Sequence, residues 1–144
     1  MKEVIKEFLQ EEGYEVEDLG TDSEDSVDYP DFAKKLCREV LKTKSMGILV
    51  CGTGIGMSLG ANKFRGIRAA VCTNCYMAMM SRADNDANVL CLGGRVVGEG
   101  LAKDIVEVWL KTKFSTKERH RRRVGKIEPN SKAVKQINNQ TELS

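Results

Sequence analysis

The chain has 144 residues, 41% of them hydrophobic and 31% charged, which suits one folded domain and excludes disorder throughout. Its formal charge of +2 hides a split, −3 over residues 1–113 and +5 over residues 114–144. The body is therefore no polycationic nucleic-acid binder, while the C-terminal end calls for an anion. No apolar run approaches the roughly 18 residues of a membrane span, and no secretory leader is legible at the start. Five cysteines, an odd number, fit a reduced cytoplasmic protein better than a disulfide framework.

Residues 2–10 space Val4, Ile5, Phe8 and Leu9 along one face of an amphipathic helix that Gly13 ends. Residues 14–19 alternate with period two and predict a short strand near 16–19, followed by a polar loop over 21–28. Pro30 suits the first turn of a helix reaching about Lys44, with Phe32, Ala33, Leu36, Val40 and Leu41 as its apolar stripe. The run 47–51 is apolar throughout, as in a strand buried on both faces. A glycine-rich turn and a helix over 57–64 follow. Further strands are expected at 67–72 and 88–92, with helices at 74–82 and 101–111. This alternation implies a single α/β domain, a three-layer α/β/α Rossmann-like fold around a parallel sheet of four strands. The domain is expected to span residues 1–128, with 129–144 as a polar tail. An open α/β domain usually begins with a strand, whereas this chain begins with a helix.

The most informative segment runs from Cys51 through Gly52, Thr53, Gly54, Ile55 and Gly56. Alternate glycines let the backbone turn sharply and converge several N–H groups, and the helix behind adds its positive end. Such a loop suits a phosphate, a carboxylate or a developing oxyanion at the carboxyl end of a strand. It lacks the Lys of a P-loop and the spacing of a dinucleotide fingerprint. A ligand-free tight turn is the plainer reading. Cys51 closes the strand and opens the loop. A thiol beside a helix N-terminus is acidified and serves as base or nucleophile, although buried structural cysteines are common.

Taken together, the motifs are specific. The segment 51–56, then Ala61-Asn62-Lys63 and Gly66-Ile67-Arg68-Ala69, resembles the core of type B ribose-5-phosphate isomerase, whose family includes the galactose-6-phosphate isomerase subunits. Asp28-Tyr29-Pro30, the run 85–90, Gly94-Arg95 and the basic element from Arg119 to Arg123 extend the likeness over about residues 1–128. The resemblance implies aldose–ketose isomerisation of a sugar phosphate through an enediolate, without metal or organic cofactor. It assigns Cys51 as base, and the amides of 52–56 (Gly52, Gly54 and Gly56 among them) with Thr53 as the anion hole. Arg95, Arg119 and Arg123 would hold the phosphate, Asn85 would orient hydroxyls and Tyr29 would line the pocket. It further implies a homodimer or tetramer with sites built across the interface, and no nucleic-acid or membrane partner. Ribose 5-phosphate is the expected substrate, with galactose 6-phosphate, allose 6-phosphate or a non-catalytic sugar-phosphate-binding subunit as alternatives. For the tail arginines, a solvated basic face is the plainer alternative to phosphate capture.

Two departures from the family stand out. The family begins with a central strand ending in an Asp-His pair, and here Met1 falls at about the start of the first helix, so a truncated start is expected. The family's isomerases also commonly carry His at position 84 for opening the sugar ring, where this chain has Asp84. Asp84 is either a base for that step or an ordinary helix-end residue. The pair Cys72 and Cys75 has redox spacing, but neither a second pair nor enough histidines completes a zinc site, so free thiols are expected.

Overall fold

The computed structural model describes residues 1–20 and 28–128. The elements follow in the order α1 (Lys2–Glu11), α2 (Tyr29–Thr43), β1 (Gly47–Cys51), α3 (Ile55–Ala61), β2 (Ala69–Val71), α4 (Cys75–Ala83), β3 (Val89–Gly93), α5 (Glu99–Lys111) and α6 (Glu118–Ile127). The three strands make one parallel sheet in the order β1-β3-β2.

The central strand β3 is buried along its whole length, and its side chains alternate between two cores. Leu90 and Leu92 join Ile5, Ala78, Ile105 and Trp109 of α1, α4 and α5. Val89 and Cys91 join Ala33, Cys37, Val40 and Met57 of α2 and α3. A strand covered on both faces has no polar side, which is why these runs read as continuous apolar segments. The fully buried Trp109 alone contributes on the order of 2–3 kcal/mol.

The motif residues between α3 and β3 fasten the start of the sheet. The Asn62 side chain donates to the Ala69 carbonyl at 2.9 Å and accepts from its N–H at 2.8 Å. Asn88 does the same for the next loop, donating to the Gly66 carbonyl at 2.8 Å and accepting from the Arg68 N–H at 2.8 Å. β2 runs over Ala69–Val71 and is shorter than the predicted 67–72.

The strand predicted near 16–19 is not formed. Residues 14–19 have no regular structure and join no ladder. They lie against α1, where Lys2 and Lys6 reach the Asp18 carboxylate at 3.0 and 3.3 Å, while Val16 packs on the first core. Alternation specifies one buried face, but a strand also needs a neighbour for its N–H and C=O groups. None of the described strands lies beside this segment, and β1 pairs with β3 on one side only. The sheet of the described residues therefore has three strands, not four. The expected loop over 21–28, apart from Asp28, and the expected tail from 129 lie outside the described residues.

Candidate active site

Parallel strands give the sheet one carboxyl edge, where β1 delivers Cys51 half-buried. The chain turns there and is locked to the end of β3. The Gly94 and Arg95 N–H groups donate to the carbonyls of Cys51 and Gly52 at 2.8 and 3.0 Å. Two glycines make this close crossing possible. Gly54 has φ +81°, and a Cβ on it would stand 3.1 Å from the Leu92 carbonyl carbon; one on Gly93 would stand 2.6 Å from the Thr53 backbone. So turned, the Gly54 N–H donates to Cys51 Sγ at 3.1 Å, and the Thr53 hydroxyl accepts from the Ile55 N–H at 3.3 Å.

Two side chains lean over this loop. A Cβ on Gly52 would fall inside the Arg95 guanidinium, and one on Gly56 would meet the Tyr29 ring at 2.8 Å. Cys51, Gly52, Thr53, Gly54, Gly56, Tyr29 and Arg95 therefore form one cluster. It offers an accessible sulfur, a fixed amide donor beside it and a cation, the elements needed to move a proton and hold the charge left behind. The other core thiols contrast with it. Burial pushes Cys37 up to about 11 and Cys91 up to about 12, and raises Cys72 as well, so they stay protonated and inert. All five cysteines are free, and no group of His, Cys, Asp and Glu among the described residues is placed to hold a metal.

The other predicted residues lie elsewhere. Asp84 caps the C-terminus of α4, which runs back against the strand direction, so Asp84 and Asn85 sit at the amino edge of the sheet. The Ala87 N–H donates to the Ser81 carbonyl and the Asn88 N–H to that of Arg68, fixing this corner just ahead of β2 and β3. The chain entering α6 crosses the same corner. The Ser115 N–H donates to the Ala83 carbonyl at 2.9 Å, and His120 Nδ1 comes to 3.5 Å from Asp84 Oδ1. At the far end of α6, Glu128 accepts from the Gly66 N–H at 3.0 Å and pairs with Arg68 at 2.9 Å. Arg68 also donates to the backbone and carboxylate of Asp86, a residue at φ +48°. Arg82 holds the other Asp86 oxygen at 2.9 Å. Both ends of α6 are thus fastened. Arg119 and Arg123, one turn apart, stay exposed with no ion-pair partner among the described residues. A cavity of about 330 Å³ opens beside β2, lined by Arg68, Ala70, Ser81, Asn85 and Ile127.

The predicted site residues therefore fall into two separate groups on one chain. Seven of the predicted residues converge on the carboxyl edge, and Asp84, Asn85, Arg119 and Arg123 lie at the amino edge. The family model described as Ribose/Galactose Isomerase matches residues 1–127. The chain belongs to the ribose/galactose isomerase family. A solved structure of ribose-5-phosphate isomerase B from Clostridium thermocellum is 57% identical, with a TM-score of 0.85 over 88% of this chain and 85% of that one. Ribose-5-phosphate isomerase B of Escherichia coli is 48% identical over 128 residues, 88% of this chain and 85% of that protein. D-erythrulose-4-phosphate isomerase of Pectobacterium atrosepticum is 44% identical over 116 residues, 79% of this chain and 76% of that protein. As a ribose/galactose isomerase the chain is an aldose–ketose isomerase on the three-layer α/β/α fold expected of it.

Sequence reasoning missed the Arg68–Asp86–Glu128 network and the contact between His120 and Asp84. Nothing in local spacing joins residues 68 and 128. The one available signal was that His120 is the only histidine of the chain.

Proposed function

We propose that this isomerase interconverts ribose 5-phosphate and ribulose 5-phosphate through an enediolate, with Cys51 as the base that carries the proton between C2 and C1. The observation that carries this reading is the half-exposed Cys51 sulfur, held by the Gly54 N–H at 3.1 Å and faced by Arg95 across Gly52. In the forward direction the thiolate takes the C2 proton and negative charge grows on O1; the O2 hydroxyl proton then passes to O1, and the thiol returns its proton to C1 as the carbonyl forms at C2. The amides of 52–56 and the Thr53 hydroxyl are the donors for that charge. Losing one such donor typically costs about 10²–10³ in rate.

The phosphate is assigned to Arg119 and Arg123, with Arg95 beside the loop, because the planar guanidinium pairs bidentately with phosphate oxygens. Asn85 orients hydroxyls, and Tyr29 closes the pocket over Gly56. The two edges of one sheet cannot reach one small sugar. The reading therefore requires a homodimer in which one copy's Cys51 loop meets the partner's α6, and the opposite placement of the halves supports it. The five free thiols support a reducing, cytoplasmic setting.

A four-carbon substrate is a second reading. It is favoured by the Pectobacterium relative and by Asp84, since a tetrose 4-phosphate has no furanose ring to open. The test is turnover by the purified chain of ribose 5-phosphate, galactose 6-phosphate and D-erythrulose 4-phosphate in D2O. Fastest turnover of ribose 5-phosphate, with deuterium appearing on the transferred carbon, supports the first reading. Fastest turnover of the tetrulose replaces it with the second.

A further inference from the structure

Asn85 is exposed at the amino edge of the sheet, and its side chain makes no hydrogen bond to a described residue. It lines both the cavity of about 330 Å³ beside β2 and a second one of about 290 Å³, where Val71, Tyr76, Met77 and Met80 form the wall. A side chain without partners is aimed by its backbone alone. Its direction therefore depends on what fixes the peptide on either side.

The next residue is held in an uncommon conformation. Asp86 has φ +48°, and among the described residues only Lys44 shares a positive φ without being glycine. The Asp86 N–H donates to the Arg82 carbonyl at 3.1 Å, the bond of a helix end whose left-handed residue is usually glycine. Glycine adopts that conformation freely, whereas a Cβ disfavours it. What Asp supplies in its place is a carboxylate between two arginines. Arg68 donates from Nη2 to Oδ2 at 3.3 Å and from Nε to the Asp86 carbonyl at 2.9 Å. Arg82 donates from Nη1 to Oδ1 at 2.9 Å and to the Ala87 carbonyl at 2.7 Å. Both guanidiniums are anchored in turn, Arg68 to Glu128 at 2.9 Å and Arg82 over the Trp109 ring. A non-glycine residue kept left-handed by so many surrounding bonds is the kind of strain that sites use to place a neighbour.

Resting on the function proposed above, we infer that Asp86 is a positioning residue of the isomerase. Arg68 and Arg82 lock it in the left-handed conformation, and the fixed backbone aims the Asn85 amide at the sugar hydroxyls. Asp86 itself touches no substrate. The phosphate is held separately, by arginines on α6. Arg68 keeps its bond to Glu128 when Asp86 is removed, so α6 stays fastened. Loss of the clamp therefore loosens the grip on the sugar and spares the grip on the phosphate.

Asp86→Gly separates this role from that of a helix stop, because glycine suits the turn and removes only the clamp. With ribose 5-phosphate, kcat/KM should fall by about tenfold, the effect of one misplaced hydrogen bond. The inhibition constant of inorganic phosphate should change by no more than about twofold. Asn85→Ala should lose at least as much activity as Asp86→Gly. The double variant should lose no more than Asn85→Ala alone, since a residue that acts through another then has nothing left to place. Asp86→Asn tolerates the positive φ and keeps an acceptor for one arginine. Its kcat/KM should fall between wild type and Asp86→Gly, and it carries the same test where Asp86→Gly fails to fold. Wild-type kinetics in the Asp86 variants, phosphate inhibition weakened as much as kcat/KM, or losses that multiply in the double variant overturn the positioning role and leave the isomerase reading standing. A wild-type chain inactive on ribose 5-phosphate overturns that reading and the inference with it.

Discussion

The backbone N–H of Gly54 meets the sulfur of Cys51 at 3.1 Å, three residues back along the chain. That contact exists because Gly54 sits at φ +81° against the end of β3, so the geometry of a turn decides where Cys51, the proposed base, and its neighbouring donor lie. Cys51→Ala should lower kcat by at least about 10³ and leave KM nearly unchanged, the mark of a group used in the transition state. Steady-state kinetics on ribose 5-phosphate, with circular dichroism for the fold, measure both.

Gly54 and Gly13 make a matched pair for testing the loop. Both have positive φ, +81° and +86°, but a Cβ on Gly13 meets nothing within 4 Å, whereas one on Gly54 runs into Leu92 and Gly93. Gly13→Ala should cost about 1 kcal/mol of stability and leave activity intact. Gly54→Ala should cost about 1–3 kcal/mol and also cut kcat, because the donor to Cys51 moves with the backbone. Urea unfolding beside the kinetic assay reads both.

Much of this was legible in the sequence, and for identifiable reasons. The strands 47–51 and 88–92 announced themselves because they are covered on both faces, and the cysteine–glycine loop because three alternate glycines exceed what a turn requires. The segment 14–19 misled because alternation reports a buried face and says nothing about whether a neighbouring strand is there. The candidate site's proposed members were named from family motifs, but their division between two sheet edges was not legible there. That division depends on α4 running antiparallel to the strands and on α6 folding across its end.

Thiol chemistry should follow burial. Cys37, Cys72 and Cys91 are buried and raised by desolvation, Cys37 to about 11 and Cys91 to about 12, whereas Cys51 and Cys75 are half exposed. A maleimide reagent at pH 7 should label Cys51 and Cys75 in the native protein, with the other three labelled only after unfolding. Mass spectrometry of the peptides gives the answer. The same shifts set a sign for stability: above the ordinary value of 9.0 the unfolded thiols lose protons while the folded ones keep them. Their contribution is therefore constant below about pH 9 and falls between there and about pH 12.

Glu128 should matter to substrate binding without touching substrate. It fastens the end of α6 to Arg68 and to the Gly66 N–H, and Arg119 and Arg123 ride on that helix. Glu128→Gln leaves the Arg68 guanidinium with one anionic partner fewer and should cost about 1–2 kcal/mol of stability. It should raise KM several-fold with kcat nearly preserved, since it loosens phosphate capture rather than the proton transfer. Inhibition by inorganic phosphate should weaken in parallel.

The proposed active site draws on both edges of the sheet, and hence on two copies of the chain. Cys51→Ala removes one half, and a variant with Arg119→Ala and Arg123→Ala removes the other. Unfolded together, refolded and assayed as a mixture, the two inactive proteins should recover about a quarter of wild-type activity, because each mixed dimer regains one intact site. A mixture no more active than the separate proteins would contradict the shared site.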